Sequence, residues 1–284
     1  MQKLAPIIIF TYKRLNTLKK CINSIKKNEL SKKNKVYFFS DGPKSKKEKK
    51  DIDKVRKYLK KVKFFKTKNI FIRKNNCGLA KNIMHGVSKV IKKEGKAIIL
   101  EDDIIVSKNF LSFMNLSLLR FEKNRKIWHI SAWNYNLNLS IKEDAYLTRG
   151  MNCWGWATWK DRWKHFKKKP KEILKTWSKN DIKEFNFENS INFFSQIVRN
   201  SDKRLNSWAI FWYATIFKEK GLCLNPKYSL SQNIGVDKNS TNTKSIEKFF
   251  DTKLINTYPK KYSYPFVIKE NMRAYKQIRK KIKL

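Results

Sequence analysis

Residues 97–103 read AIILEDD, an apolar run ending in three consecutive acids, Glu101, Asp102 and Asp103. The chain around them is strongly basic, with a formal net charge of +43 at pH 7. Like charges crowded at the end of a buried strand disfavour their ionised forms unless a cation sits among them. Hard divalent ions prefer carboxylate oxygens, and Mg²⁺ takes about one or two of them from protein, with phosphates and water completing its shell. The triplet therefore reads as a divalent-metal site at the C-terminal edge of a sheet, where open α/β sheets bind ligands. The plain alternative is a solvated acidic turn or helix cap before the next helix. If the segment stays extended, alternation puts Glu101 and Asp103 on one side and Asp102 on the other. One acid can then hold a metal while another accepts hydrogen bonds from a sugar or ribose hydroxyl. A second unusual stretch is Cys153-Trp154-Gly155-Trp156-Ala157-Thr158-Trp159. Its indoles can stack on sugar faces, and glycine admits a close ligand; the alternative is a Trp-rich core cluster, with Trp159 and Trp163 its expected members. Asp161 and Arg162 read as a structural ion pair.

The elements that must position these residues alternate strand and helix over the first 120 positions. Pro6–Tyr12 is apolar and β-branched, as a buried strand requires. Leu18, Cys21, Ile22 and Ile25 follow at helical spacing. Residues 36–40 (VYFFS) form a second strand, stopped by Asp41-Gly42-Pro43. Ile52, Val55, Leu59 and Val62 mark an amphipathic helix with lysines on its other face. A third strand is expected at Asn69–Ile72, a turn at Asn76-Cys77-Gly78, and a helix from Leu79 to Ile91. Ala97–Leu100 is the fourth strand, and Phe110, Phe113, Met114, Leu118 and Phe121 trace the next helix. Such alternation implies a mostly parallel sheet covered on both faces. Beyond about residue 125 tryptophan and tyrosine become dense and regular alternation is lost, so this half is expected as short strands and loops beside the sheet. Residues 269–284 carry Met272, Tyr275, Ile278 and Ile282 at roughly helical spacing in a basic tail. The expected organisation is one domain over residues 1–240, divided into halves 1–125 and 126–240, with a basic extension at 241–284.

Composition narrows the function classes. No stretch approaches about 18 apolar residues, so no membrane-spanning helix is expected. The N-terminal apolar run is too short for a signal peptide and reads as a first strand. The four cysteines and three histidines are scattered, which argues against zinc and for reduced thiols in a cytoplasmic protein. The basic excess comes from 55 Lys against 11 Arg. It admits a solvated surface, peripheral docking on the anionic inner face of a cytoplasmic membrane, or nucleic-acid binding. Scarcity of Arg, the better bidentate reader, weighs against the last, and no specific nucleic acid is expected as a partner.

Seven segments in order, PIIIFTYKR, FSDGPK, NNCGLAKNI, ILEDD, CWGWATWKDRW, SWAIFWYA and SLSQNIG, resemble nucleotide-sugar glycosyltransferases of the GT-A fold. The resemblance is to family 2 and N-acetylglucosaminyltransferase I-like enzymes, and it covers roughly residues 4–240. It implies a GT-A type, Rossmann-like α/β fold with an aromatic-rich acceptor half. It implies transfer of a hexosyl or N-acetylhexosaminyl group from a nucleotide-sugar, with UDP the commonest nucleotide, to a glycan or lipid-linked glycan hydroxyl. Inversion at the anomeric carbon, Mn²⁺ or Mg²⁺ as cofactor, and a role in capsule or lipopolysaccharide synthesis go with it. By position, Asp103 resembles the metal ligand, and Glu101 and Asp102 the acids contacting donor sugar and ribose. Thr11, Tyr12 and Arg14 fall where the family holds base and diphosphate, Asp41 where an acid meets base or ribose, and Gly78, Leu79 and Lys81 beside the nucleotide. Trp154, Gly155 and Trp156 fall under donor sugar and acceptor. The catalytic base is the departure: Asn206 stands where related sequences carry an acid. Asp202, on one face with Asn206 if that segment is helical, and Asp237 are the substitutes. An inactive transferase fold serving as a binding subunit is the alternative that Asn206 raises.

Overall fold

The computed structural model describes residues 3–235, 252, 254–255 and 261–283. In chain order it runs β1 (Ile7–Thr11), α1 (Leu15–Lys26), β2 (Lys35–Ser40), α2 (Lys46–Lys61), β3 (Thr67–Ile72), α3 (Leu79–Glu94), β4 (Lys96–Glu101), β5 (Ile104–Val106) and α4 (Phe110–Arg120). The second half adds β6 (Ile127–Ser131), β7 (Ala145–Thr148), β8 (Trp156–Trp159), α5 (Lys160–Trp163), α6 (Pro170–Thr176), α7 (Lys179–Phe185), α8 (Phe194–Ser201), α9 (Ala209–Lys218), β9 (Leu222–Pro226), β10 (Ser231–Asn233) and α10 (Met272–Ile282).

One eight-stranded sheet carries the molecule, in the order β3-β2-β1-β4-β8-β6-β9-β7. Its first four strands are parallel, with β1 between β2 and β4. Every residue of β1 is buried, because helices cover both faces of the sheet and no side of this strand meets water. On one face, α1 inserts Leu18, Cys21, Ile22 and Ile25 against Ile7, Ile9, Val36 and Phe38. On the other, α3 packs Ile83, Val87, Val90 and Ile91 on Ile8, Phe10, Tyr37 and Phe39. The strands point their C-terminal ends at one edge, and that edge collects the acids.

The second half departs from the expectation of strands lying beside the sheet. Strand β8 joins it directly, antiparallel to β4, with Ile98 opposite Ala157, and β6, β9 and β7 continue outward. The aromatic cluster is therefore the core of the extended sheet: Trp128, Trp133, Trp156, Trp159, Trp163, Trp208 and Trp212 are all buried. Arg162 pairs with Asp161 at 2.7 Å, as the sequence implied, and also donates to the carbonyls of Phe121, Glu122 and Asn124 after α4. The basic tail returns onto this half. Helix α10 buries Ala274, Tyr275, Ile278 and Ile282 in one cluster with Trp133, Phe185 and Phe187, and Glu270 holds Arg149 at 2.7 Å just before it.

Candidate active site

Glu101 is the last residue of β4 and lies opposite Phe10 of β1. Asp102 and Asp103 then form a tight turn into β5. This corrects the extended reading of the triplet: the chain reverses after Glu101, so pleat alternation does not assign the sides. The turn is held because β5 pairs antiparallel with β10, Ile104 opposite Asn233, and the Ile234 amide donates to the Asp103 carbonyl at 2.9 Å. Asp102 is buried and accepts the Tyr12 amide at 3.0 Å. Asp103 is ion-paired with Arg14, whose guanidinium also lies 3.8 Å from Asp102 and donates to the Gly235 carbonyl at 3.0 Å.

Burial, and after it the neighbouring negative charges, push the Glu101 and Asp102 carboxyls well above the usual carboxylate range. Arg14 opposes that shift in both. A divalent cation among these oxygens would relieve the same repulsion. Among the described residues no group of three or more His, Cys, Asp or Glu forms a closed metal cage. Mg²⁺ takes few protein ligands and completes its shell with phosphate and water, so such an ion does not require a closed cage.

The loops at the same edge supply the rest. Thr11 ends β1 with a buried hydroxyl that has no hydrogen-bond partner, a group available to a ligand. Tyr12 donates its hydroxyl to Glu48, which also pairs with Lys13 at 2.8 Å and accepts the Lys44 amide at 2.9 Å. Asp41, after β2, accepts amides of Gly42 at 2.9 Å, Cys77 at 3.0 Å and Gly78 at 3.1 Å. A carboxylate has about four acceptor positions, so the loops engage most of Asp41 and leave little for a base or ribose. Gly78 caps α3 with φ +78°, a conformation that only glycine adopts freely. A Cβ there would meet only open space, so within the chain itself Gly78 is required by the turn's positive φ. Leu79 and Lys81 are exposed in the first turn of α3, where the helix dipole is positive.

Of the three residues expected under sugar, two lie in the core and one is partly exposed. Trp154 is half-buried and packs edge-on against Trp133, with ring centroids 5.0 Å apart. Gly155 is buried with φ +80°, and its missing Cβ would sit 3.4 Å from Leu100, Phe110 and Ala132 carbons, so it is a core turn and not a ligand approach. Trp156 is 1% exposed, stacked between His129 at 5.4 Å and Trp208 at 5.1 Å. Its ring has no face left for a sugar.

The base expected at Asp202 is also corrected. Helix α8 ends at Ser201, so Asp202 and Asn206 do not share a helical face. Asp202 is chelated by Arg204 at 2.8 and 2.5 Å, and those bonds hold its carboxyl below the usual range, the wrong direction for a base. Asn206 accepts from Lys168 at 2.5 Å. Asp237 lies outside the described residues.

Residues 1–185 match the family model described as the GNT-I family. The chain belongs to the GNT-I family. That family consists of GT-A-type glycosyltransferases, and the mixed α/β sheet with its acid turn agrees with it. No curated protein matches the chain. Among solved structures, S. aureus TarS residues 1–349 is similar at 12% identity and TM-score 0.45, over 81% of this chain and 60% of that one. A second S. aureus TarS structure is similar at 14% identity and TM-score 0.34, over 50% of this chain and 24% of that one. The chain thus spans less than two thirds of either TarS chain. Mannosyltransferase PcManGT from Pyrobaculum calidifontis, solved in complex with GDP-Man and Mn²⁺, is similar at 7% identity and TM-score 0.40, over 76% of this chain and 70% of that one.

In this GNT-I family chain the structure brings Thr11, Tyr12, Arg14, Glu101, Asp102 and Asp103 to one place, and Asp41 and Gly78 to the adjoining loop pair. Two participants were not foreseen. Glu48 is one of several acids in a lysine-rich helix, and only the fold shows that it reaches Tyr12. Gly235 closes over Asp103: a Cβ at this position would lie 2.7 Å from the Asp103 Cγ and 2.8 Å from its Cβ. The SLSQNIG segment carried that glycine, but no local signal ties it to an acid 132 positions earlier.

Proposed function

We propose that this chain transfers a sugar from a nucleotide-sugar, a UDP-sugar, to a hydroxyl of a glycan or lipid-linked glycan acceptor, with inversion, in the synthesis of a surface polysaccharide. The observation that carries the reading is the acid turn Glu101-Asp102-Asp103 at the C-terminal edge of the parallel strands, closed by Arg14 and Gly235. Asp103 is assigned to hold Mn²⁺ or Mg²⁺, and the bound ion would neutralise charge developing on the departing diphosphate. Arg14 supplies a second positive charge at the same edge, and the exposed start of α3 adds helix-dipole potential. Asp102, fixed by the Tyr12 amide, and Glu101, half-buried, are assigned to hydroxyls of ribose and donor sugar. Thr11 offers its unpartnered hydroxyl to the nucleotide. Trp154 is the remaining aromatic surface for sugar.

A direct displacement needs a base within hydrogen-bond reach of the acceptor hydroxyl. We assign it to Asp237 on chain connectivity: Gly235, two residues earlier, abuts Asp103. Purified protein incubated with Mn²⁺ and a panel of nucleotide-sugars should hydrolyse one donor slowly, and Asp103→Ala should remove the metal dependence. Turnover equally fast in that variant would refute the site.

Asn206 and the Arg204-bound Asp202 favour a second reading, a transferase fold that binds donor without turnover. Donor binding with no product on any acceptor, and no effect of Asp237→Asn, would select it. The nucleic-acid reading loses its aromatic support, since seven of the nine tryptophans are interior.

A further inference from the structure

We infer that the Phe266–Val267 turn and the exposed stripe of α10 form a docking face for an anionic lipid surface. Phe266 is 93% exposed, the most exposed large apolar side chain among the described residues, and Val267 beside it is 56% exposed. The turn is not a loose end. Tyr262 and Tyr264 before it pack on Phe113 and Phe121 of α4, with Tyr262 5.2 Å from Phe113 and Tyr264 5.5 Å from Phe121. Ser117 and the Tyr264 hydroxyl share a hydrogen bond at 3.0 Å. Ile268 after it packs on the same core, and the Lys269 amide closes the turn on the Val267 carbonyl at 3.0 Å. Two anchored flanks therefore hold an aromatic ring out in water, where burial in this chain would be favourable.

Helix α10 starts five residues later. Its buried side is Ala274, Tyr275, Ile278 and Ile282. Met272, Arg273, Lys276, Lys280 and Lys283 are exposed, and at 3.6 residues per turn they share an arc of about 100°. Met272 is itself 50% exposed within that basic arc. Residues 261–283 hold eight Lys or Arg and a single acid, Glu270, which Arg149 neutralises at 2.7 Å. A protruding apolar turn followed at once by a helix with an exposed basic arc matches an anionic bilayer, whose acyl boundary takes the ring while its headgroups meet the cations. A soluble protein partner of this charge would have to be acidic and offer a pocket for Phe266. The other lysine-rich face, α2, has its cations partly paired, Lys49 with Asp53 and Lys54 with Asp51, and presents no exposed large apolar side chain. On α2 charge stands alone, whereas the turn before α10 sets its most exposed ring next to a basic helix.

The test is co-sedimentation of the full chain with vesicles of phosphatidylcholine, alone or mixed with phosphatidylglycerol. The chain should pellet with the anionic vesicles and not with the neutral ones, less so as salt rises. Phe266→Ser with Val267→Ser should weaken binding roughly tenfold or more, and Lys276→Glu with Lys280→Glu by a similar factor, at unchanged melting temperature. Lys50→Glu with Lys57→Glu on α2 should change it little. Absence of wild-type binding would overturn the inference. So would wild-type binding by the Phe266 variant, or loss confined to the α2 variant. A dimer that the Phe266 substitution splits, with vesicle binding untouched, would assign the face to a second copy instead.

Discussion

Gly235→Ala perturbs Asp103 without touching its chemistry. The added methyl would lie 2.7 Å from the Asp103 Cγ and 2.8 Å from its Cβ, where ordinary contacts begin at 3.4 Å. Backbone cannot yield easily, because Ile234 is tied to the Asp103 carbonyl at 2.9 Å and the Gly235 amide donates to the Asn233 side chain at 2.7 Å. The Asp103 carboxyl must therefore swing away, by on the order of 1 Å, a misplacement that costs about 100-fold in rate when it falls on a positioned group. The same swing loosens the ion pair to Arg14. Stability should fall by about 1 kcal/mol, since the strain falls on one partly buried side chain at the edge of the sheet. The assay is donor turnover across a Mn²⁺ titration, paired with thermal melting. The expected outcome is a roughly 100-fold loss with a higher Mn²⁺ requirement and a melting temperature within a few degrees of wild type. Full activity in Gly235→Ala, or loss fully explained by unfolding, would refute the reasoning.

Removing Arg14 separates its two roles: Arg14→Ala should tighten Mn²⁺ binding measured without nucleotide, about tenfold, and weaken UDP binding by a similar factor, readable by titration calorimetry. Trp156→Ala should cost about 3–5 kcal/mol in denaturant unfolding, as a buried indole lost from a stack, whereas Trp154→Ala should cost far less and raise the apparent KM for acceptor. Glu94 sets an acid limb of stability. Burial alone would raise its carboxyl, but hydrogen bonds from Tyr37 at 2.6 Å, Lys3 at 2.9 Å and Lys35 at 3.3 Å outweigh it and hold the pKa at about 2, below its ordinary 4.5. A depressed carboxyl stabilises the fold fully above its unfolded pKa and loses that contribution as pH falls toward the folded value. Unfolding free energy should therefore drop between pH 4.5 and about 2, by no more than about 3 kcal/mol, and Glu94→Gln should flatten that limb in acid titrations followed by circular dichroism.

The first half, with its parallel strands, was legible because its signals are local. Ile7–Phe10, Val36–Phe39 and Ala97–Leu100 are apolar runs bounded by turn residues, and the acids that follow are conspicuous in a basic chain. Strand β8 was not legible as a strand, since Trp156–Trp159 is buried on both faces and shows no alternation, so the same indoles read equally as a sugar platform. Strand β5 was hidden because three residues, IIV, are too short to announce a hairpin partner so far along the chain. That pairing turns the triplet from an extended ladder into a reversal and brings Gly235 onto Asp103. Asp202 failed for a related reason: spacing alone suggested a helical face, but the helix stops one residue before it and Arg204 captures the carboxylate.

In the proposed reaction Asp103 joins a divalent ion to a nucleotide diphosphate. The direct measurement is UDP affinity of wild type and Asp103→Asn, by calorimetry, with and without Mn²⁺. Mn²⁺ should strengthen UDP binding to wild type by tenfold or more, on the order expected for a shared metal, and leave the variant unchanged. Equal strengthening in both proteins would contradict it.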